Sequence, residues 1–197
     1  YEPHYAHFAS YFGNTFAGFF SDEPSFGNDG GTYYSKLGKE GMRVPWSGAL
    51  AADIAARAGI SAGEALRLLP GLWHEIEGRT SVVREAYMEA VTEAYSRNFC
   101  WMLGNWCRDH GVQYIGHVIE DMNTHQRLGY GAGHYFRALE GQDMSGIDVV
   151  LHQIVPGFFT LEHTAPVCGT VVDPEFFQYM LGKLGSSLAH IQPLKQN

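Results

Sequence analysis

The chain has 197 residues, is 45% hydrophobic and 17% charged, and carries a formal net charge of −8, so it can bury a sizeable core and is not a disordered segment. Its 13 Lys and Arg are scattered rather than gathered into a stripe, which argues against nucleic acid as a partner. No apolar run approaches the roughly 20 residues of a membrane span and no basic-then-apolar leader is present, so no membrane partner is expected.

Residues 3–12 read as the end of a helix stopped by Gly13 and Asn14. "TFAGFFS", residues 15–21, is apolar on both faces and predicts a strand covered on both sides, as in a parallel sheet. From Pro24 to Trp46 the sequence reads as a long loop, of a length that is usually functional in a compact domain. Two helices are expected over 48–57 and 62–69, separated by Gly59 and ended by Pro70.

The strongest helix spans 81–110, with Val83, Tyr87, Val91, Ala94, Phe99, Met102 and Trp106 as its apolar stripe, Thr80 or Ser81 as N-cap and Gly111 just past its end. Cys100 and Cys107 lie on it about 10 Å apart along the axis, too far to pair. They read as core residues, like Trp101 and Trp106, and the third cysteine, Cys168, shows no sign of an activated thiol.

"VQYIGHVIE", 112–120, predicts a second buried strand, followed by a polar loop and a short helix over 134–139. A third strand is expected over 146–154, a helix over 174–184, and the start of a fourth strand at 187–192. This alternation is that of βα units, which predicts an α/β fold with a parallel sheet. About four units consume the chain, whereas a closed barrel needs roughly 200 to 250 residues. The expectation is therefore one domain, a partial (β/α) barrel of TIM type that forms the first or middle half of a larger one.

In parallel α/β folds, side chains from several strands converge at the carboxyl ends. Two successive strands here end in carboxylates, Asp22 and Glu23 after the first, Glu120 and Asp121 after the second, and His117 precedes the second pair. A pair of carboxylates is what glycoside hydrolysis requires: one protonates the leaving oxygen while the other acts on water or on the sugar carbon. The alternative for any one of them is a cap on the following helix or turn.

"GFFSDEPSF", "LPGLW", "VREAYMEAVTEAYSRNFCWMLGNWCRDHGVQYIGHVIED" and "GIDVV", in that order, resemble the central barrel segment of the bacterial glycoside hydrolases of family 106, the α-L-rhamnosidase family. The resemblance runs from about Phe16 to Val150. It implies a (β/α)8 catalytic barrel within a longer polypeptide, so that the remaining barrel units and accessory β domains would be partners of this segment. It also implies inverting hydrolysis of a terminal sugar, α-L-rhamnose, by two glutamates. No cofactor is required on this reading, although some members carry a calcium ion near the active site.

Carried onto this sequence, the resemblance makes Glu120 the general acid and Glu23 the base, or a sugar or metal ligand. Asp22, His117 and Asp121 then bind substrate. The "IED" ending departs from the Gly-Glu-Glu-like ending of several relatives, which bears on which carboxylate holds which role.

Further candidates for sugar binding are Trp46, with Phe26, Tyr33 and Tyr34 in the long loop, and Asp148, His152, Glu162 and His163 around the third strand. A zinc site from His117, Glu120 and His125 is chemically conceivable, but no His-Glu-x-x-His helix supports it. The competing function is a non-catalytic, carbohydrate-binding or degenerate barrel.

Overall fold

The computed structural model describes residues 1–28, 36–119, 127–129, 131–150, 153–154 and 175–191. The chain opens with α1 (Glu2–Phe8) and a 3-10 turn (Ala9–Tyr11), in line with the helical reading of its start. Gly13, at φ +76°, turns the chain, and its N–H donates to the Phe16 carbonyl at 3.0 Å. That turn uses the residues expected to begin the strand, so β1 covers only Gly18–Asp22.

A helical layer follows. α2 (Leu50–Ala58) ends at Gly59 in the left-handed conformation, and α3 (Ala62–Leu68) starts at Ser61, whose hydroxyl accepts from the Glu64 N–H. Leu50 and Ile54 of α2 pack with Leu72 and with Val83, Tyr87 and Val91 of α4 (Thr80–Tyr95) in the largest core cluster. The visible end of the long loop is docked on this layer. Trp73 Nε1 donates to the Met42 carbonyl at 2.5 Å, and the Tyr87 hydroxyl donates to Pro45 O at 2.6 Å. Thr80 does not cap α4 as expected; its hydroxyl accepts from Ile76 N–H at 2.7 Å and donates back to Ile76 O at 2.9 Å, bracing the turn before the helix.

The long helix contains one π-helical stretch, Ser96–Trp101, before α5 (Met102–Asp109). A π turn inserts an extra residue and shifts the facing side chains. Ser96 and Cys100 within it and Gly104 and Cys107 after it are the buried positions, while Met102, expected in the stripe, is 55% exposed. Gly111, at φ +72°, closes the helix as the sequence indicates.

β2 (Gln113–His117) runs parallel to β1 in register, from Gly18 opposite Gln113 to Asp22 opposite His117. Two glycines permit this pairing: a Cβ on Gly18 would lie 2.2 Å from Gln113 O, and one on Gly116 would lie 2.3 Å from Ser21 O. Phe19, Ser21 and Tyr114 share one face, which α1 and α5 cover: the Phe19 ring stacks on Tyr1 at 3.8 Å, and Tyr114 donates to the Ser21 hydroxyl at 2.9 Å. The other face is half open, with Phe20 59% exposed, so β1 is not covered on both sides.

The expected barrel is not formed. Among the described residues the sheet is open and has two strands, which does not correspond to four βα units. The third expected strand fails over its described part, because β2's next edge is already occupied. Asp143 N–H donates to Tyr114 O at 2.8 Å, and its carboxylate accepts from Tyr114 N–H at 2.8 Å. Ile147, Val149 and Val150 beyond it are exposed rather than covered as buried strand residues are.

α6 (Tyr135–Leu139) forms where expected and is tied to α4 through Arg137, which donates to Glu89 at 2.6 Å and to the Thr92 hydroxyl at 2.8 Å. The fourth expected strand is also overturned. A π-helical turn (Phe176–Met180) leads into α7 (Leu181–Ile191), which runs on through residues 187–191. Leu181, Gly185 and Leu188 are its buried face at helical spacing. No helix among the described residues is long and apolar enough to cross a membrane.

Candidate functional site

β1 and β2 end side by side, and their last register pair is Asp22 and His117. Register partners on adjacent parallel strands point to the same face, and here Asp22 Oδ1 lies 3.1 Å from His117 Nε2. The environments differ: the His117 side chain is 9% exposed and that of Asp22 is 78% exposed. The imidazole is thus anchored in the protein while the carboxylate faces solvent.

Glu23 follows at φ +45°, the one non-glycine residue with positive φ among the described residues. In a continuing strand its side chain would point away from Asp22. The left-handed turn ends the strand there, and Pro24 follows, a residue that a strand interior does not accept. One ligand atom from each of Asp22, Glu23 and His117 then lies within 4.8 Å of the others. The structure thus brings together three of the residues that the sequence singles out.

Phe20 belongs to the same face, two residues before Asp22, with its ring centroid 5.7 Å from that of His117. It is exposed beside the cluster and offers an aromatic plane to a ligand there. The run "TFAGFFS" reads as apolar on both faces, which makes Phe20 look like a buried strand residue. The usable signal was the alternation of Gly18, Phe20 and Asp22 on one side.

The loops leaving the two strands are clasped. Gly27 N–H donates to Gly129 O at 2.9 Å, and Gly129 N–H donates to Asn28 Oδ1 at 3.0 Å. Asn28 Nδ2 in turn reaches Arg43 O at 2.5 Å. On the other side, the Tyr95 hydroxyl donates to Pro24 O at 3.0 Å, with Phe26 edge-on to the Tyr95 ring. Asn28 thus ties the loop after β1 both to its own later part at Arg43 and to the Gly129 segment.

Of the remaining predicted site residues, Glu120, Asp121 and His152 lie outside the described residues, as do Tyr33, Tyr34, His125, Glu162, His163 and Cys168. Trp46 is exposed at the end of the docked loop and is not a member of the cluster. Asp148 accepts from Val149 N–H at 2.8 Å and is likewise outside it. The segment before Asp148 runs close to the site, since a Cβ on Gly146 would lie 3.4 Å from that of His117.

Cys100 and Cys107 are buried free thiols, as the core reading expects. Burial pushes Cys100 up to about 12, with Glu140 adding to the effect, and Cys107 up to about 11, so neither is an activated nucleophile. No family model, curated protein or solved structure matches the chain.

Proposed function

We propose that the chain carries part of a glycoside hydrolase site acting on a terminal sugar, α-L-rhamnose by its resemblance to family 106. The observation that supports it most is the convergence of Asp22, Glu23 and His117 at the carboxyl ends of two parallel strands, beside the exposed Phe20 ring. Strand ends are where such folds gather reacting groups, and an aromatic plane beside carboxylates suits a pyranose ring.

On this reading Glu120, three positions beyond the end of β2, gives its proton to the leaving oxygen. Glu23 takes a proton from the attacking water, and Asp22 and His117 hold sugar hydroxyls. A protein-bound proton passes to the aglycone and a water proton passes to Glu23, so the pair must be recharged by proton exchange after each turnover.

Calcium, implied by the resemblance, does not fit the cluster. Calcium takes six to eight oxygen ligands, and a third of this donor set is an imidazole nitrogen. No step of the reaction is assigned to it.

The test is release of nitrophenol from an aryl α-L-rhamnoside by the purified chain, with Glu120→Gln and Glu23→Gln as variants. The reading expects turnover in the parent and its loss in both variants, with the far-UV circular dichroism unchanged. Retained turnover in Glu120→Gln removes it as the acid. Saturable binding of a rhamnose-containing oligosaccharide with no product from the parent selects the non-catalytic reading.

A further inference from the structure

The helix α6 starts at a histidine. His134 is extended, at φ −161° and ψ 112°, and its Nδ1 accepts from the Arg137 N–H at 3.2 Å, so the imidazole is the N-cap. Gly133, at φ +78°, sets this turn against α4, where a Cβ on the glycine would lie 2.9 Å from Thr92 Cγ2. An imidazole caps a helix only while Nδ1 keeps its lone pair, because both nitrogens of the protonated ring are donors. A positive ring at that position also meets the positive end of the helix dipole.

We propose that His134 is an acid-sensitive latch, whose protonation releases the first turn of α6 and, through Tyr135, the Gly146 segment beside His117. Tyr135 opens α6, and its hydroxyl donates to Gly146 O at 3.0 Å. Gly146 in turn runs against the end of β2, where its Cβ would lie 1.8 Å from Gly116 O and 3.4 Å from that of His117. The cap, the helix and the strand ends are thus joined through consecutive contacts. The latch does not depend on what the strand ends bind.

Among the described residues, the charged groups facing the ring are Arg137 of α6, Glu140 just past its end and Glu89 of α4. Burial first, and then the Arg137 guanidinium, hold the imidazole below the ordinary 6.5, while Glu89, a main-chain contact and Glu140 act the other way. Both carboxylates already hold partners, Glu89 through Arg137 at 2.6 Å and Glu140 through the Ser96 hydroxyl at 3.0 Å. The folded chain gives up this proton more readily than the unfolded one. The cap is therefore intact above pH 6.5 and is lost as the pH falls through the lower folded value.

The test is amide hydrogen exchange in the full chain at about pH 7.5 and about pH 5, corrected for intrinsic rates, with His134→Asn as the variant whose side-chain oxygen caps at both values. In the parent, protection at the Arg137 amide should fall about fivefold or more at the lower pH, and the Gly146 amide signal should shift in parallel. In His134→Asn both should hold within about twofold, and the Val91 amide of α4 should keep its protection in either protein. The parent alone gives a second reading, since the loss at Arg137 should follow the titration of the His134 imidazole with a midpoint below 6.5. Protection at Arg137 that persists to the lower pH, a midpoint that does not follow His134, or the same loss in His134→Asn overturns the latch. Loss at Arg137 with the Gly146 signal unmoved overturns its link to the strand ends.

Discussion

Asp22 and His117 are the last register pair of β1 and β2, and their side chains meet with Oδ1 and Nε2 3.1 Å apart, one carboxylate in solvent and one imidazole buried. The pairing follows from the register of the two strands, which runs from Gly18 opposite Gln113 to Asp22 opposite His117. Moving one strand by a single residue would send His117 to the opposite face.

That register depends on glycine. Gly116→Ala places a methyl group 2.3 Å from the Ser21 carbonyl, so the strands must move apart, and the expected loss of stability is roughly 1 to 3 kcal/mol. Gly182→Ala, in α7 with nothing within 4 Å, should instead stabilise by about 0.5 to 1 kcal/mol. Urea unfolding of both variants checks the contrast, and equal effects would place the sheet contact elsewhere.

Asn28 closes the loops around the site. Asn28→Ala removes its side-chain bonds to Gly129 N–H and Arg43 O. Each such bond is worth about 1 kcal/mol net, so the Gly129 amide should exchange its hydrogen roughly fivefold or more faster, while core amides of α4 keep their protection. Unchanged exchange at Gly129 would mean the clasp does not hold the loops.

Stability should fall on the alkaline side. Burial raises Cys100 and Cys107, and also Tyr87, Tyr95 and Tyr114, above their ordinary values of 9.0 and 10.0. In the unfolded chain these groups ionise at the ordinary values, while the folded chain keeps the Cys107 and Cys100 protons to about 11 and about 12. The folded state therefore binds more protons across that window, and its stability, intact below pH 9, declines as the pH rises from about 9 to about 12. Urea midpoints at neutral pH and at about pH 10.5 should differ accordingly, and Cys100→Ala should flatten part of the slope. A midpoint independent of pH would contradict the burial of these groups.

Much of this arrangement was legible in the sequence. The carboxylates after "GFFS", the histidine before "VIED", the glycine ends of α2 and the long helix, and the burial of Val83, Tyr87 and Val91 all follow from local pattern. What failed were features set by distant contacts. Nothing near Met102 in sequence announces the π turn that moves it to the surface. The apolar run from Gly146 looks like a strand, but the edge it needed is taken by Asp143, a residue outside the run. "SLAHIQ" reads as the start of a fourth strand, while Leu181 and Leu188, seven apart, carry the helical period.

Phe20 should serve a ligand rather than the fold. Its ring is 59% exposed, so Phe20→Ala should shift the melting temperature little. If a sugar stacks there, the loss of about 0.5 to 1.5 kcal/mol weakens binding of a rhamnose-containing oligosaccharide roughly two- to tenfold, measured by calorimetry. A large drop in stability with unchanged affinity would return Phe20 to a packing role.

The most direct test of the strand-end site is the imidazole signal of His117 in histidine-labelled protein titrated with L-rhamnose, assigned with His117→Ala. The account predicts a saturable shift at His117, with the other histidine signals of the described helices unmoved and the response weakened in Asp22→Asn. Rhamnose binding or hydrolysis with the His117 signal unchanged would place the functional site away from Asp22, Glu23 and His117.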